Sequence, residues 1–237
     1  MEIRYHGHSC FELSDGDTRV LIDPFLKPNN PVAVATAEEV EPTQILITHG
    51  HVDHMADAVP VATRTGAPLA AHVEIANWMG ERGVENVSDP NLGGTVTFEG
   101  GWAKFVQAFH SNTLPGSDDA PFSAEHGTSV GQAGAWVVNV GGVTVYHAGD
   151  TCLFGDMALI ARSTPIDVAL LPIGGHYTMD RHDAVIAAEL TGAKTVIPMH
   201  YDTFPPIETD AGAFQTDVEA ALDAKVVVLA PGDAHEA

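Results

Sequence analysis

Four times along this chain an apolar run stops at a histidine or an aspartate. TQILI runs into THGHVDH at residues 48–54, WAKFVQAF into His110, VTVYHAG into Asp150 and TVIPM into His200. Short apolar runs of this kind read as buried strands rather than helices. A strand that is apolar on both faces belongs to a sheet covered on both sides. Polar residues at its end then lie on one edge of that sheet, close in space although far apart in sequence. The pattern restricts the chain to an α/β fold with a ligand-rich sheet edge.

The remaining segments agree with that restriction. EIRYHG, SCFEL and TRVLID predict an antiparallel meander, with a turn at SDGD. TQILITH predicts a buried strand, and HMADAVPVATRTG a helix at its start despite Pro60. PLAAH followed by VEIANWMGERG repeats the strand-then-helix order. TVTFEG and WAKFVQAFH predict strands, and AGAWVVNVGGVTVYHAGD a hairpin turned at Gly141-Gly142. CLFGDMALIARS, DAVIAAELTG and DAGAFQTDVEAALDA predict helices before the strands DVALLPI, TVIPMH and KVVVLAPG. No linker-like shift, tandem repeat or low-complexity tract interrupts the chain, so residues 1–237 are expected to form one domain. The long irregular stretch 111–129 starts just after His110, which predicts a lid or binding loop.

Composition narrows the class of partner. The 32 acidic side chains outnumber the 10 basic ones, a formal net charge of −22. Nucleic acid and anionic membranes demand counter-charge from Lys and Arg, so neither is expected as a partner. No apolar run is long enough to span a membrane. The opening MEIRYHGHSCFEL has no basic region followed by an apolar core, which predicts no secretion signal. Cys10 and Cys152 make no disulfide framework. A cytoplasmic location and a small-molecule substrate are the expectation, with a homo-oligomer left open.

The chemistry concentrates in THGHVDH. His49 and His51, two apart in a turn, can converge on one ion from the end of a strand. Asp53 and His54 stand where a helix begins, aimed at a second position. Imidazole and carboxylate together suit zinc, manganese or iron. A second ion needs further donors, and His110, Asp150 and His200 stand at the other strand ends.

These segments resemble the metallo-β-lactamase superfamily, and within it the metal-dependent hydrolases similar to ascorbate-6-phosphate lactonase. The resemblance rests on HGHSCFEL, LIDPF, THGHVDH, AFHS, YHAGDT, LPIGGHYTM and PMHYDTFP, which fall in order along nearly the whole chain. It implies a four-layer αββα sandwich with mixed sheets and a dinuclear site at the sheet edge. Carried over by position, it implies that His49, His51 and His110 bind one metal, that Asp53, His54 and His200 bind the other, and that Asp150 bridges them. Two divalent ions are implied, zinc first, with manganese and iron as alternatives. The chain departs from the pattern in MDRHDA and in the loop 111–129, and both departures bear on substrate choice.

Several residues stand around this set. The resemblance places His8 close to the metals, against the plainer reading of a satisfied buried histidine. Asp23 is expected to orient a ligand histidine through its free N–H rather than to bind metal, and His147 to be structural or to act in the same indirect way. His176 opens on the same edge, where it contacts substrate, protonates a leaving group or simply packs. His126 is a weak candidate for substrate contact. His6, His72, His182 and His235 are left as surface or core residues. Cys10 and Cys152 read as small buried side chains, because an activated water already supplies the nucleophile. No G-x-S-x-G elbow, Walker A or dinucleotide fingerprint is present; LGGTVTF and VGGVTV are glycine turns outside the required frame.

The reaction that follows is hydrolysis at a carbonyl or phosphoryl centre of a small lactone, ester or phosphoester. Asp53 orients the attacking water and later carries a proton to the leaving group. Two rivals remain at this stage. One is an iron-dependent oxidoreductase of the sulfur dioxygenase type; flavin-linked di-iron relatives carry Glu where His51 stands. The other is a metal-binding protein without catalysis.

Overall fold

The computed structural model describes residues 1–115 and 127–237. The opening meander consists of β1 (Glu2–Gly7), β2 (Cys10–Asp15) and β3 (Thr18–Ile22), antiparallel neighbours in register Leu13 opposite Ile3 and Val20. The chain then continues into β4 (Gln44–Leu46), β5 (Leu69–Ala70) and β6 (Val87–Ser88), each parallel to the strand before it. Between them lie α1 (Val52–Met55), α2 (Ala58–Thr65) and α3 (Val73–Gly80). The predicted helix over HMADAVPVATRTG is therefore two helices. Pro60 is tolerated because it sits in the first turn of α2, where its missing N–H has no intrahelical acceptor to lose.

A second sheet is built from β7 (Thr95–Phe98), β8 (Gly101–Gln107), β11 (Gly134–Val140) and β12 (Val143–His147), all antiparallel to their neighbours. The hairpin between β11 and β12 turns on Gly141 and Gly142 at φ of 59° and 88°, the left-handed pair that a tight two-residue turn requires. Thr113–Leu114 (β9) and Thr128–Ser129 (β10) form a separate two-stranded ribbon, so the expected irregular stretch 111–129 has ordered ends. The strands β13 (Val168–Pro172), β14 (Thr195–Met199) and β15 (Lys225–Val226) add in parallel. They alternate with α4 (Met157–Ser163), α5 (Arg181–Thr191) and α6 (Ala211–Ala221). The segment MDRHDA turns out to start α5: Asp180 caps it by accepting from the amides of His182 and Asp183 at 2.8 and 2.9 Å.

Two features depart from the sequence expectation. KVVVLAPG contributes only the two-residue ladder of β15. The polar tail forms an unexpected strand, β16 (Ala234–Glu236), which pairs with β1 and completes a sheet ordered β16-β1-β2-β3-β4-β5-β6. The other sheet runs β15-β14-β13-β12-β11-β8-β7.

The two sheets face each other. Ile3, Leu13, Val20 and Ile22 of the first share a core with Phe105, Trp136 and Val138 of the second. Trp136 also crosses the interface to donate its indole N–H to the carbonyl of Ile47 at 3.0 Å. Phe105 and Trp136 pack with tilted rings, centroids 4.8 Å apart, and truncating either to Ala costs about 3–5 kcal/mol. The far side of the first sheet buries Leu21, Ile45 and Leu69 against Val61, Ile75 and Met79 of α2 and α3. The far side of the second is covered by α4, α5 and α6 through Met157, Ala187 and Phe214. The result is the expected αββα sandwich. Because of the pairing directions, β1, β3, β4 and β5 run the same way, as do β8, β12, β13 and β14.

Candidate metal centre

The strand directions decide where the polar residues go. His8 follows β1, Asp23 follows β3, THGHVDH follows β4, His110 follows β8, Asp150 follows β12 and His200 follows β14. Each stands at a carboxyl end, and two clusters form there. His49, His51, His110 and Asp150 make one; His8, Asp53, His54 and His200 make the other. In each, one donor atom of every residue lies within 4.8 Å of the rest.

Asp150 joins the clusters. Its Oδ2 lies 3.1 Å from His200 Nε2, 3.4 Å from His110 Nε2 and 3.9 Å from His49 Nε2, and its Oδ1 lies 3.2 Å from His54 Nε2. It is buried at 2% exposure, between the two sets. Separations of this size are those of donors sharing an ion about 2.1 Å from each.

Neighbouring groups fix which ring nitrogens are bare. Asp23 Oδ2 is a carboxylate oxygen, so His54 Nδ1, 2.7 Å away, must donate to it. In the neutral ring His54 Nε2 is then unprotonated, and it faces Asp150. The Thr48 hydroxyl donates to Asp23 Oδ2 at 2.7 Å, so it accepts from His49 Nδ1 at 3.0 Å. His49 Nε2 is bare as well, 3.0 Å from His51 Nδ1. A bare nitrogen at that distance from a second ring nitrogen requires a proton or a cation between the two.

The buried polar atoms tell the same story. His54 Nε2, His200 Nε2 and Asp150 Oδ1 are buried without a hydrogen-bond partner. Orphaned groups of this kind cost about 1–3 kcal/mol each. Burial works against charge on Asp150, yet His200 and His54 outweigh it and hold the carboxyl well below the usual range. Burial likewise opposes charge on His54, while Asp150 and Asp23 push its imidazole well above the ordinary value. The protein atoms alone thus demand positive charge at this spot, and a nitrogen-and-oxygen donor set fits divalent transition ions.

Comparison with known proteins agrees. The model of the β-lactamase superfamily domain matches residues 2–200. The chain is 46% identical over 237 residues to a UPF0173 metal-dependent hydrolase of Methanopyrus kandleri, covering 100% of each protein. It is 44% identical over 220 residues to a UPF0173 metal-dependent hydrolase of Shouchella clausii, 93% of this chain and 94% of that protein. The chain belongs to the metallo-β-lactamase superfamily, as a metal-dependent hydrolase. Among solved structures, Igni18, a metallo hydrolase from the hyperthermophilic archaeon Ignicoccus hospitalis, superposes on the hydrolase with a TM-score of 0.85 at 34% identity, covering 99% of this chain and 97% of that one.

Within the hydrolase, Asp23 lies behind His54. His147 is buried; its Nε2 donates to the Ser9 carbonyl at 2.8 Å and its Nδ1 accepts from the amide of Gly149 at 3.2 Å, which shapes the turn before Asp150. His176 is brought into neither cluster. It is exposed, with its ring against Tyr177 at 4.5 Å. Cys152 is exposed rather than buried, whereas Cys10 is buried as expected. His126 lies outside the described residues.

Sequence reasoning missed Asn112. It is buried, and its Oδ1 accepts the amide of Gly50, in the middle of the THGHVDH loop, at 2.8 Å. Its Nδ2 donates to Val130 O at 2.7 Å and to His72 Nε2 at 2.6 Å, and His72 Nδ1 donates to Glu74 at 2.8 Å. His72 is therefore a core residue with a job. Gly50 has to be glycine, because a Cβ there would stand 2.7 Å from Thr113 O. The only sequence signal for Asn112 is a polar residue two places after the candidate donor His110. A second missed feature is backbone strain. His8, Asp23 and His200 adopt φ of 61°, 51° and 54°, at about 1–3 kcal/mol each, and such residues cluster at functional sites.

Proposed function

We propose that the hydrolase holds two divalent ions, one by His49, His51 and His110 and one by Asp53, His54 and His200, with Asp150 between them. The observation that carries this reading is the set of buried, unpartnered nitrogens around Asp150. Zinc is the first expectation from the donors, with manganese or iron as alternatives. When bound, such ions lower the pKa of a water and polarise the oxygen of a substrate carbonyl or phosphoryl group.

The chain's own residues divide the remaining work. Asp23 and Thr48 hold His54 and His49 in the tautomers that leave Nε2 free. Asp53 is the most exposed carboxylate of the centre, with 29% of its side chain accessible. It orients the attacking water and returns a proton to the leaving group. His176 has no part in this reading. The substrate class is a small lactone, ester or phosphoester. No helix among the described residues is long and apolar enough to cross a membrane, and we place the enzyme's work in the cytoplasm.

Elemental analysis together with a panel of bis(p-nitrophenyl) phosphate, p-nitrophenyl esters and lactones tests the proposal. About two ions per chain and turnover of at least one class support it. Oxygen uptake without hydrolysis points instead to the oxidoreductase, and metal without any turnover to a binding protein.

A further inference from the structure

We propose that His8 is a positioning residue, oriented by the Thr203 hydroxyl, whose Nε2–H holds Oδ2 of Asp53 and leaves Oδ1 for the reaction. The inference rests on the dinuclear reading above and adds a residue pair to it. His8 is fully buried, with Nδ1 2.9 Å from Thr203 Oγ1 and Nε2 3.1 Å from Asp53 Oδ2. A neutral imidazole carries one N–H, so these two contacts share one ring proton and the hydroxyl's own.

Two arrangements satisfy that count. In the first, Thr203 donates to the Tyr201 carbonyl and accepts from His8 Nδ1–H, leaving a bare Nε2 against the carboxylate. His8 would then be a metal ligand. In the second, Thr203 donates to Nδ1, and Nε2–H donates to Asp53. The lengths select the second. Both arrangements keep the 2.9 Å contact with Nδ1, but the first also needs Thr203 to donate to Tyr201 O at 3.3 Å, beyond the usual O–H···O range of about 2.5–3.0 Å.

The backbone fixes the ring in place. The carbonyl of His8 accepts from the His200 amide at 2.8 Å and from the Tyr5 hydroxyl at 3.1 Å, and its ring lies on His200 with centroids 4.0 Å apart. These ties hold the left-handed φ of 61°. Among the described residues, Oδ1 of Asp53 takes no hydrogen bond, and Asp53 is the centre's most accessible carboxylate.

The test pairs Thr203→Val with Thr203→Ser, and adds His8→Asn. With bis(p-nitrophenyl) phosphate as probe, Thr203→Val is expected to lower kcat about tenfold, at the lower end of the 10–100-fold cost of losing an outer hydrogen-bond partner. KM and the two bound ions stay unchanged, and Thr203→Ser recovers most of the loss. His8→Asn keeps both ions, and adding Thr203→Val to it costs nothing more. Nitrogen-15 spectra of histidine-labelled, metal-loaded protein, with His8 assigned by difference, should show the Nε2–H tautomer whatever the substrate. An Nδ1–H tautomer, or loss of one ion in His8→Asn, makes His8 a ligand and overturns the proposal. Parent-like kcat in Thr203→Val overturns it too, even if His8→Asn fails to fold. If the parent holds no ions, the dinuclear reading fails first; if it holds two while the Thr203 variants match the parent, only this inference fails.

Discussion

The two halves of the metal centre are built to different standards. Around His54 and His200 the imidazoles are buried and backed, although Asp53 keeps 29% of its side chain accessible: both rings are at most 1% exposed, Asp23 accepts from His54, and His8 packs on His200. Around His51 and His110 the site opens: His110 has 13% of its side chain exposed, His51 is half-buried, and among the described residues only His49 has a hydroxyl behind it. A donor held in place before the ion arrives loses less freedom on binding, and its basicity is tuned by its partner. The buried half should therefore bind its ion more tightly, and the open half should exchange first. Similar donors arranged on two sheets need not make equal sites.

Asp150→Ala should erase the comparison, since this carboxylate serves both halves. Metal content should fall from about two ions to below one, and turnover by more than about 10³-fold, past the 10–100-fold typical of outer partners. Retention of both ions, by elemental analysis, would show that the halves are independent. A milder change, Asp23→Asn, keeps the size and removes the charge that accepts from His54 Nδ1 and Thr48. Affinity at the buried half should drop about 10–100-fold. Chelator titration of the parent should release the ions in two steps, and in this variant the steps should merge or invert.

Smaller effects are expected from the open half. Asn112→Ala removes the acceptor for the Gly50 amide and leaves His72 unpartnered on one side, at about 1–3 kcal/mol of stability by the usual cost of an unmet buried group. Thermal melting should drop by about 2–4 °C per kcal/mol for a chain of this size, and the earlier chelation step should move while the later one stays. His176→Ala should change the least: turnover of bis(p-nitrophenyl) phosphate within about threefold of the parent, because an exposed ring outside both clusters has only surface contacts to lose. A hundredfold loss would return His176 to the reaction.

Much of the centre was legible in the chain because strand ends are marked by composition. An apolar run that stops at His110, Asp150 or His200 says where a side chain leaves the core, and THGHVDH says what it meets. The helices read less well at their boundaries: apolar spacing does not record the break at Ala56 and Asp57 between α1 and α2. β16 was invisible, since AHE has no strand-like pattern and exists only because the edge of β1 offers a ladder.

By itself, the sequence determined the fold class, the candidate donor residues and the excess of acidic side chains, for each follows from residue type and order. Tertiary structure alone decided the rest. It set the tautomers of His49 and His54, because a ring proton is assigned by the partner it meets. It gave Asn112 and His72 their roles, because the Gly50 amide they secure is 62 and 22 residues away respectively. It kept His176 from the centre and exposed Cys152, since a place at a strand end fixes position along the sheet edge but not the direction of the side chain. And it brought His8, from the first turn of the chain, against Thr203 near its other end, a contact between residues 195 apart that local pattern cannot encode.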